Sequence, residues 1–407
     1  MREEGCKLAC GTIEAMKAKA KNLGAYVQVP FCQTKCTYCN FHTGVVARER
    51  YAPYAAAVCR EIAETARAAD IPGERAAAID TVYFGGGTPS LLEASALENV
   101  MDALQRNFGL APVLDGEPEI TLEADPETIT REKALAWIAS GFNRVSLGVQ
   151  SFSDPELKAS GRMHRRADIF AAVEMLRGAG FQNISMDLIA GLAHQTKESW
   201  EQSLAQLVAI RPEHVSIYML EIDEGSHLGK ESLAGGSRYG AGTIPSDDAI
   251  ADSYERSREK LRSAGYEHYE ISNWGLPGFR SRHNLKYWRR EPYIGFGAGA
   301  HSFDGVKRWA NAHDSARYVT CIEQGISPRE QEQVVTQAEA LEEELFLGLR
   351  QLDGVDLARI ERAYDVDLSR RVESLREQGL VETDGRQLRL ASEHLAVSNS
   401  VLVELLS

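Results

Sequence analysis

Long apolar runs are missing from this 407-residue chain: no stretch approaches the roughly 18 consecutive apolar residues that a bilayer-spanning helix requires. The opening MREEGCKLACGTIEAMKAKAKNLG carries Glu3 and Glu4 and lacks the apolar stretch of about 7 to 15 residues found in secretory signals. No integral membrane segment and no export are therefore expected; the expected location is the cytoplasm, and contact with a membrane would be peripheral. Basic charge is also short, since 45 Lys and Arg face 59 Asp and Glu for a formal net of −14. Affinity for phosphate backbones comes from counterions released by Lys and Arg, so no nucleic-acid partner is expected. The seven cysteines, Cys6, Cys10, Cys32, Cys36, Cys39, Cys59 and Cys321, are odd in number. An odd set in a long, reduced chain argues against a disulfide framework and for metal ligation or free thiols.

What is present is a regular alternation. AYVQVPF, TVYFGGG, EITLEAD, RVSLGVQ, ISMDLIAGL and HVSIYMLEI, between residues 25 and 222, are each followed by polar or amphipathic sequence. Near-continuous apolar strands separated by crossover helices predict a parallel sheet covered on its outer face. Six βα units are two short of a closed eight-fold barrel, so the expected fold is α/β, a partial (β/α)6 barrel with ligands at the C-terminal ends of its strands. The expected organisation is an N-terminal extension over 1–24, the barrel over 25–246, a barrel-associated α/β region over 247–334, and a C-terminal winged-helix-like domain over 335–407. The Gly- and Ser-rich segment 223–246 reads as a long loop ending the barrel. A helix near 247–264 and a strand near 266–272 follow. Residues 341–407 hold 8 Lys or Arg against 14 Asp or Glu, a net of −6, so the winged-helix-like part is expected to pack on the body or a partner instead of entering a DNA groove.

Cys32, Cys36 and Cys39 form Cys-x3-Cys-x2-Cys directly after the first strand. Thiolates are soft ligands that suit iron–sulfur clusters. Three of them can hold three irons of a [4Fe–4S] cube and leave the fourth open, whereas electron-transfer clusters are usually closed by a fourth Cys. A zinc site completed by His42 fits less well, because zinc sets are normally two separated pairs. Cys59 and Cys321 fall within predicted helices as small core residues, and Cys6 and Cys10 lie in the extension without a third thiol.

FCQTKCTYCNF, with the aromatic Tyr38 before its third Cys, resembles the signature of the radical S-adenosylmethionine (SAM) superfamily. From Tyr26 to the C-terminus the chain is most similar to the branch that holds oxygen-independent coproporphyrinogen III oxidase and the haem chaperones of the HemW family. The oxidase has another Cys two positions after the third, where this sequence has Phe41; that departure, with HNLKYW and YIGFGAGAHSF, favours the chaperone family. The resemblance implies that Cys32, Cys36 and Cys39 ligate the cluster and that SAM chelates the open iron. It carries SAM contacts to Tyr26, to Gly86, Gly87 and Thr88 in FGGGTPS, to Glu123 in TLEADP, to Gln150 in LGVQSF, to Arg162 in GRMH and to Asp187 in SMDLIAGL. Read from the residues alone, glycines after a strand allow close backbone approach, and Arg162 suits a bidentate carboxylate clamp.

HNLKYW places His283 and Tyr287 four apart, on one face if helical, with Trp288 beside them. Imidazole is a standard axial ligand of haem iron, although a lone His in an aromatic tract is more often a hydrogen-bonded structural residue. The resemblance implies haem handling by this motif, with His301 in GAGAHSF as a second candidate. The implied cofactors are a [4Fe–4S] cluster, SAM and haem, and the implied partners are haem-accepting proteins and an electron donor for the cluster. Reductive cleavage of SAM is the chemistry of such a scaffold. Decarboxylation of coproporphyrinogen III and a haem-degrading methyltransfer are the rival activities.

Overall fold

The computed structural model describes residues 22–69, 78–111 and 116–391, together with 395, 401 and 403–405. Cys6 and Cys10 lie outside the described residues. The six expected strands are β1 (Asn22–Val29), β2 (Ala78–Gly86), β3 (Glu119–Ala124), β4 (Arg144–Gln150), β5 (Ile184–Ala190) and β6 (His214–Met219), paired in that order and all parallel. Crossovers are carried by α1 (Tyr51–Ala69), α2 (Ala94–Asn107), α3 (Arg131–Ala139), α4 (Asp154–Ala159), α5 (Arg166–Ala179) and α6 (Lys197–Ile210). Thr130 and Thr196 cap α3 and α6 through their side chains, and α5 ends on Gly180 at φ 111°, each a standard start or stop signal.

The strands are less uniformly apolar than the sequence reading expects. On β1 to β6 the residues facing the helices are Val27, Val82, Phe84, Leu122, Leu147, Met186 and Ile217, all 1% exposed or less. The alternate positions, facing inward, are Tyr26, Tyr83, Glu123, Ser146, Asp187 and Ser216. Side chains alternate with period two along a strand, so one face builds the core with the helices and the other lines a polar lumen. Trp137 on α3 and Trp200 on α6 are wholly buried in that core.

Beyond residue 222 the structure adds elements that short patterns do not announce. The expected loop holds α7 (His227–Leu233), because the Ser226 hydroxyl accepts the Gly229 N–H at 2.9 Å and Leu228 buries its side chain. The helix α8 (Asp247–Ser263) appears as expected, and the strand near 266–272 becomes an antiparallel pair, β7 (Glu267–Glu270) and β8 (Asn273–Gly275), with β8 on β6. HNLKYW is helical, α9 (Arg282–Trp288). Next, β9 (Tyr293–Phe296) joins β1 in parallel, a seventh strand that the sequence reading treats only as a Gly-rich aromatic tract. Four residues with a central Gly carry too little alternation to read as a strand. Antiparallel β10 (His301–Phe303), β11 (Lys307–Asn311) and β12 (Arg329–Val334) extend this edge, with α10 (Ser315–Glu323) between β11 and β12. The twelve-stranded sheet runs from β12 to β7 without joining its edges, so the barrel stays open.

A second apolar cluster, with Leu345, Ile360, Leu375 and Leu388, gathers α11 (Gln337–Gly348), α12 (Leu357–Tyr364), α13 (Ser369–Glu377) and the sheet of β13 (Val355–Asp356), β15 (Gln387–Leu390) and β14 (Val381–Thr383). Helices followed by this β14–β15 hairpin make the winged-helix-like module. No helix among the described residues is long and apolar enough to cross a membrane.

Candidate functional site

The triplet loop follows β1 at the C-terminal mouth of the barrel and is tied down from several sides. Cys32 N–H donates to Gly44 O at 3.0 Å and Gly44 N–H to Pro30 O at 2.9 Å, which closes the loop on itself. Thr37 N–H donates to Ser160 O at 3.0 Å, and Leu228 N–H from α7 donates to Thr37 O at 2.7 Å. Asn40 reaches Asp223 Oδ2 at 3.0 Å. The segment expected as a mere loop therefore braces the cysteines. Cys32, Cys36 and Cys39 are all free thiols at intermediate exposure. Burial pushes the thiols of Cys32 and Cys39 up, and neighbouring cysteines add to the effect. The Arg162 guanidinium, with Nη1 3.4 Å from Cys36 Sγ, is the compensating charge. Soft sulfur donors beside a fixed cation suit an iron–sulfur cluster.

The glycine turn after β2 is knitted to the same loop. Gly87 N–H donates to Val29 O at 2.8 Å and Thr88 N–H to Phe31 O at 2.7 Å. A Cβ on Gly87 would stand 2.4 Å from Phe31 O, inside backbone that has nowhere to go. Gly86 has φ +112° and donates its N–H to Glu123 Oε2 at 3.0 Å. Tyr83 OH donates to the other oxygen of Glu123 at 2.9 Å. Burial pushes the Glu123 carboxyl up to about 7, although those donors stabilise its charged form. Tyr26 stacks on Tyr83, and its hydroxyl lies 2.8 Å from where a Gly85 side chain would begin.

Asp125 is the residue that sequence reasoning passes over. It accepts from Thr88 Oγ1 at 3.1 Å and forms a close ion pair with Arg162 Nη2, which also donates to Gly148 O at 2.7 Å. Two positions after Glu123, it follows the same alternation and could have been found by period two. Gln150, at the end of β4, holds φ 63°, the left-handed region that a non-glycine residue rarely occupies; its amide lies 3.1 Å from a Cβ built on Gly148, on the Arg162 side. Asp187 accepts from Ser146 Oγ at 3.2 Å, and its pKa is raised by burial and eased by Ser216 and Ser146. The triplet, the Gly turn, Glu123, Gln150 and Arg162 are thus brought to one mouth. Tyr26 and Asp187 line the lumen beneath it.

His283 and Tyr287 stand elsewhere. His283 Nδ1 is 2.9 Å from Thr81 Oγ1, its Nε2 2.8 Å from Tyr287 OH, and the ring is 1% exposed. Thr81 is five residues before Gly86 on β2, about 16 Å along a strand at ~3.3 Å per residue. Lys286 pairs with Asp80 at 2.9 Å, and Glu119, which opens β3, accepts from His283 N–H at 3.0 Å. The helix α9 therefore plugs the N-terminal end of the barrel, and the rings of Tyr26, Tyr83, His283 and Tyr287 form the lumen floor. Burial lowers the His283 pKa to about 3, so its ring is neutral, with both nitrogens engaged. Both ring nitrogens of His283 are thus engaged within the fold, and a haem-iron contact there would have to break one of these bonds and uncover the ring. Trp288, Tyr293, Phe303, Arg308 and Phe346 line a cleft of about 640 Å³ between α9 and α11. His301 is exposed at the start of β10, near His313.

Known proteins resemble this chain over most of its length. Residues 26–207 match the family described as "Radical SAM superfamily", and residues 335–393 match "HemN C-terminal domain". The chain is 37% identical over 347 residues to "Heme chaperone HemW" of Synechocystis sp., covering 83% of this chain and 80% of that one. It is 34% identical over 382 residues to "Heme chaperone HemW" of Bacillus subtilis, covering 93% and 97%. Among solved structures, coproporphyrinogen III oxidase (HemN) from Escherichia coli superposes with a TM-score of 0.80 at 21% identity, over 97% of this chain and 92% of that one. At that identity the likeness speaks for the fold alone.

Proposed function

Because this chain belongs to the radical SAM superfamily and, within it, to the HemW haem-chaperone family, we propose that it binds haem alongside a [4Fe–4S] cluster and SAM and hands the haem to acceptor haemoproteins. The observation that carries the reading is the near full-length similarity to HemW proteins, joined to Phe41, which occupies the place of the oxidase's additional Cys and is 67% exposed. In this reading Cys32, Cys36 and Cys39 would hold the [4Fe–4S] cluster, and SAM would bind beside it. The bound cluster supplies one electron at low potential, the chemistry by which SAM is reductively cleaved.

The protein's own groups have definable tasks. Asp125 and Gly148 O fix the Arg162 guanidinium so that one edge faces Cys36, placing positive charge beside its sulfur and within reach of a carboxylate ligand. Glu123 sits at the lumen end of the Gly turn and can accept hydrogen bonds from ribose hydroxyls or an amine. Gly86, Gly87 and Thr88 offer backbone without side-chain bulk. Tyr26, Gln150 and Asp187 supply further polar contacts along the lumen. The partners are haem acceptors and an electron donor, and the location is the cytoplasm.

Anaerobic reconstitution followed by haem titration with and without SAM tests the reading: bound iron and sulfide near one cube per chain, and a haem complex, are expected. Efficient vinyl formation from coproporphyrinogen III would replace chaperone by oxidase, and opening of added haem to a linear tetrapyrrole would replace it by a degrading enzyme. Zinc without iron or sulfide would remove the cluster altogether. Cys36→Ser is expected to abolish cluster assembly and leave the fold standing, since the strands do not depend on the loop.

A further inference from the structure

Three histidines from distant parts of the sequence meet beside the cysteine loop. His42 lies three residues after Cys39, His301 opens β10 and His313 follows β11. Since β1 and β9 are parallel and β10 and β11 alternate in direction, the end of β1, the start of β10 and the end of β11 all fall at the C-terminal mouth. The rings of His42 and His313 are 4.4 Å apart between centres, and those of His301 and His313 6.5 Å. His164, His214 and His283 each have a ring nitrogen hydrogen-bonded within the fold. The rings of His42, His301 and His313 have none among the described residues, and His313 Nδ1 is buried without a partner. An imidazole nitrogen with no protein partner at a mouth is free to take a ligand.

We propose that His42, His301 and His313 form the port at which haem is taken, one or two of their imidazoles binding the iron axially. This rests on the haem reading above and moves the iron contact from His283 to the mouth beside the cluster. The three do not surround a single point as ligands of an isolated ion would, and no three His, Cys, Asp or Glu side chains among the described residues do so; axial ligation of haem needs only one or two imidazoles, because the porphyrin supplies the other donors. A porphyrin also needs apolar surface, and the loop that carries His42 offers Phe41, 67% exposed, and Val45, 61% exposed. The step is coordination only: an imidazole nitrogen donates its lone pair to iron in place of water, with no electron transferred.

The test is titration of the full-length, cluster-loaded protein with haemin, followed by its Soret and visible bands, for the wild type and the variant H42A/H301A/H313A. We expect the wild type to give an imidazole-ligated spectrum, and the triple variant to lose at least about tenfold in affinity (~1.4 kcal/mol) and to shift towards a water-ligated spectrum. Free imidazole should restore the original bands in the variant, and its iron and sulfide content should match the wild type. Wild-type affinity and bands in the triple variant would overturn the port while leaving the haem reading intact, and loss of binding in Trp288→Ala would then send the porphyrin to the cleft between α9 and α11. A wild type that binds no haemin would sink the haem reading itself, and the port with it.

Discussion

The Arg162–Asp125 pair offers the sharpest energetic test, because it is enclosed and joins three elements of the mouth. Side-chain exposures are 10% for Arg162 and 20% for Asp125, so solvent screens the pair weakly. Arg162→Ala would leave the Asp125 carboxylate with Thr88 alone and would withdraw the donors to Gly148 O and Cys36 Sγ. Removing one partner of a buried ion pair costs about 3 to 5 kcal/mol, most of it from the charge left behind. Asp125→Ala should cost a similar amount by stranding the guanidinium. In the double variant neither charge remains to be solvated, so the loss should fall short of the sum of the singles by roughly 2 to 3 kcal/mol. The assay is urea unfolding of cluster-free, reduced protein, followed by the fluorescence of Trp137 and Trp200, which report on the barrel core. Single losses below about 1 kcal/mol, adding to within ~0.5 kcal/mol in the double variant, would refute the picture of an enclosed, mutually dependent pair. Arg162→Lys should not rescue it, since one ammonium cannot reproduce the planar fork that reaches three acceptors.

Gly87→Ala should separate the Gly turn from the cysteine loop, forfeiting two backbone hydrogen bonds of about 1 kcal/mol each and lowering iron retained per chain; unchanged melting temperature and iron content would contradict the close approach. Burial raises the Glu61 carboxyl from 4.5 to about 7 while Gly297, Asn311 and Tyr318 donate to it. A raised folded-state pKa gives stability that is full below the unfolded value and lost as pH rises through the folded one, so up to about 3 kcal/mol should disappear between pH 4.5 and 7. Glu61→Gln should remove that part of the slope from a series of melts across this window, and identical slopes for both proteins would reject the assignment. His283→Ala should cost about 2 to 4 kcal/mol by opening a cavity and orphaning Thr81 and Tyr287, yet leave haemin affinity within about twofold; a large loss of affinity in a variant that melts normally would return the iron contact to His283.

Whatever depends on local pattern was legible in the order of the residues. Six strand–helix repeats, the winged-helix-like tail and the Cys-x3-Cys-x2-Cys spacing are written in periods and intervals that short-range chemistry dictates, and the chain adopts all of them. The triplet follows a strand, so its place at the C-terminal mouth comes with the fold. Tertiary structure alone decided what depends on segments meeting across the sheet. Asp125 becomes the partner of Arg162 only because β3 lies beside β4, whose Gly148 carbonyl accepts from the same guanidinium. The fate of His283 was equally hidden: HNLKYW announces a helical face but not which end of the barrel that face will close, and Thr81, which engages its ring, is some two hundred residues earlier. His42, His301 and His313 share no interval that a pattern could detect; they meet because β9 pairs in parallel with β1, and a four-residue strand's partner is chosen by packing, not by its own sequence.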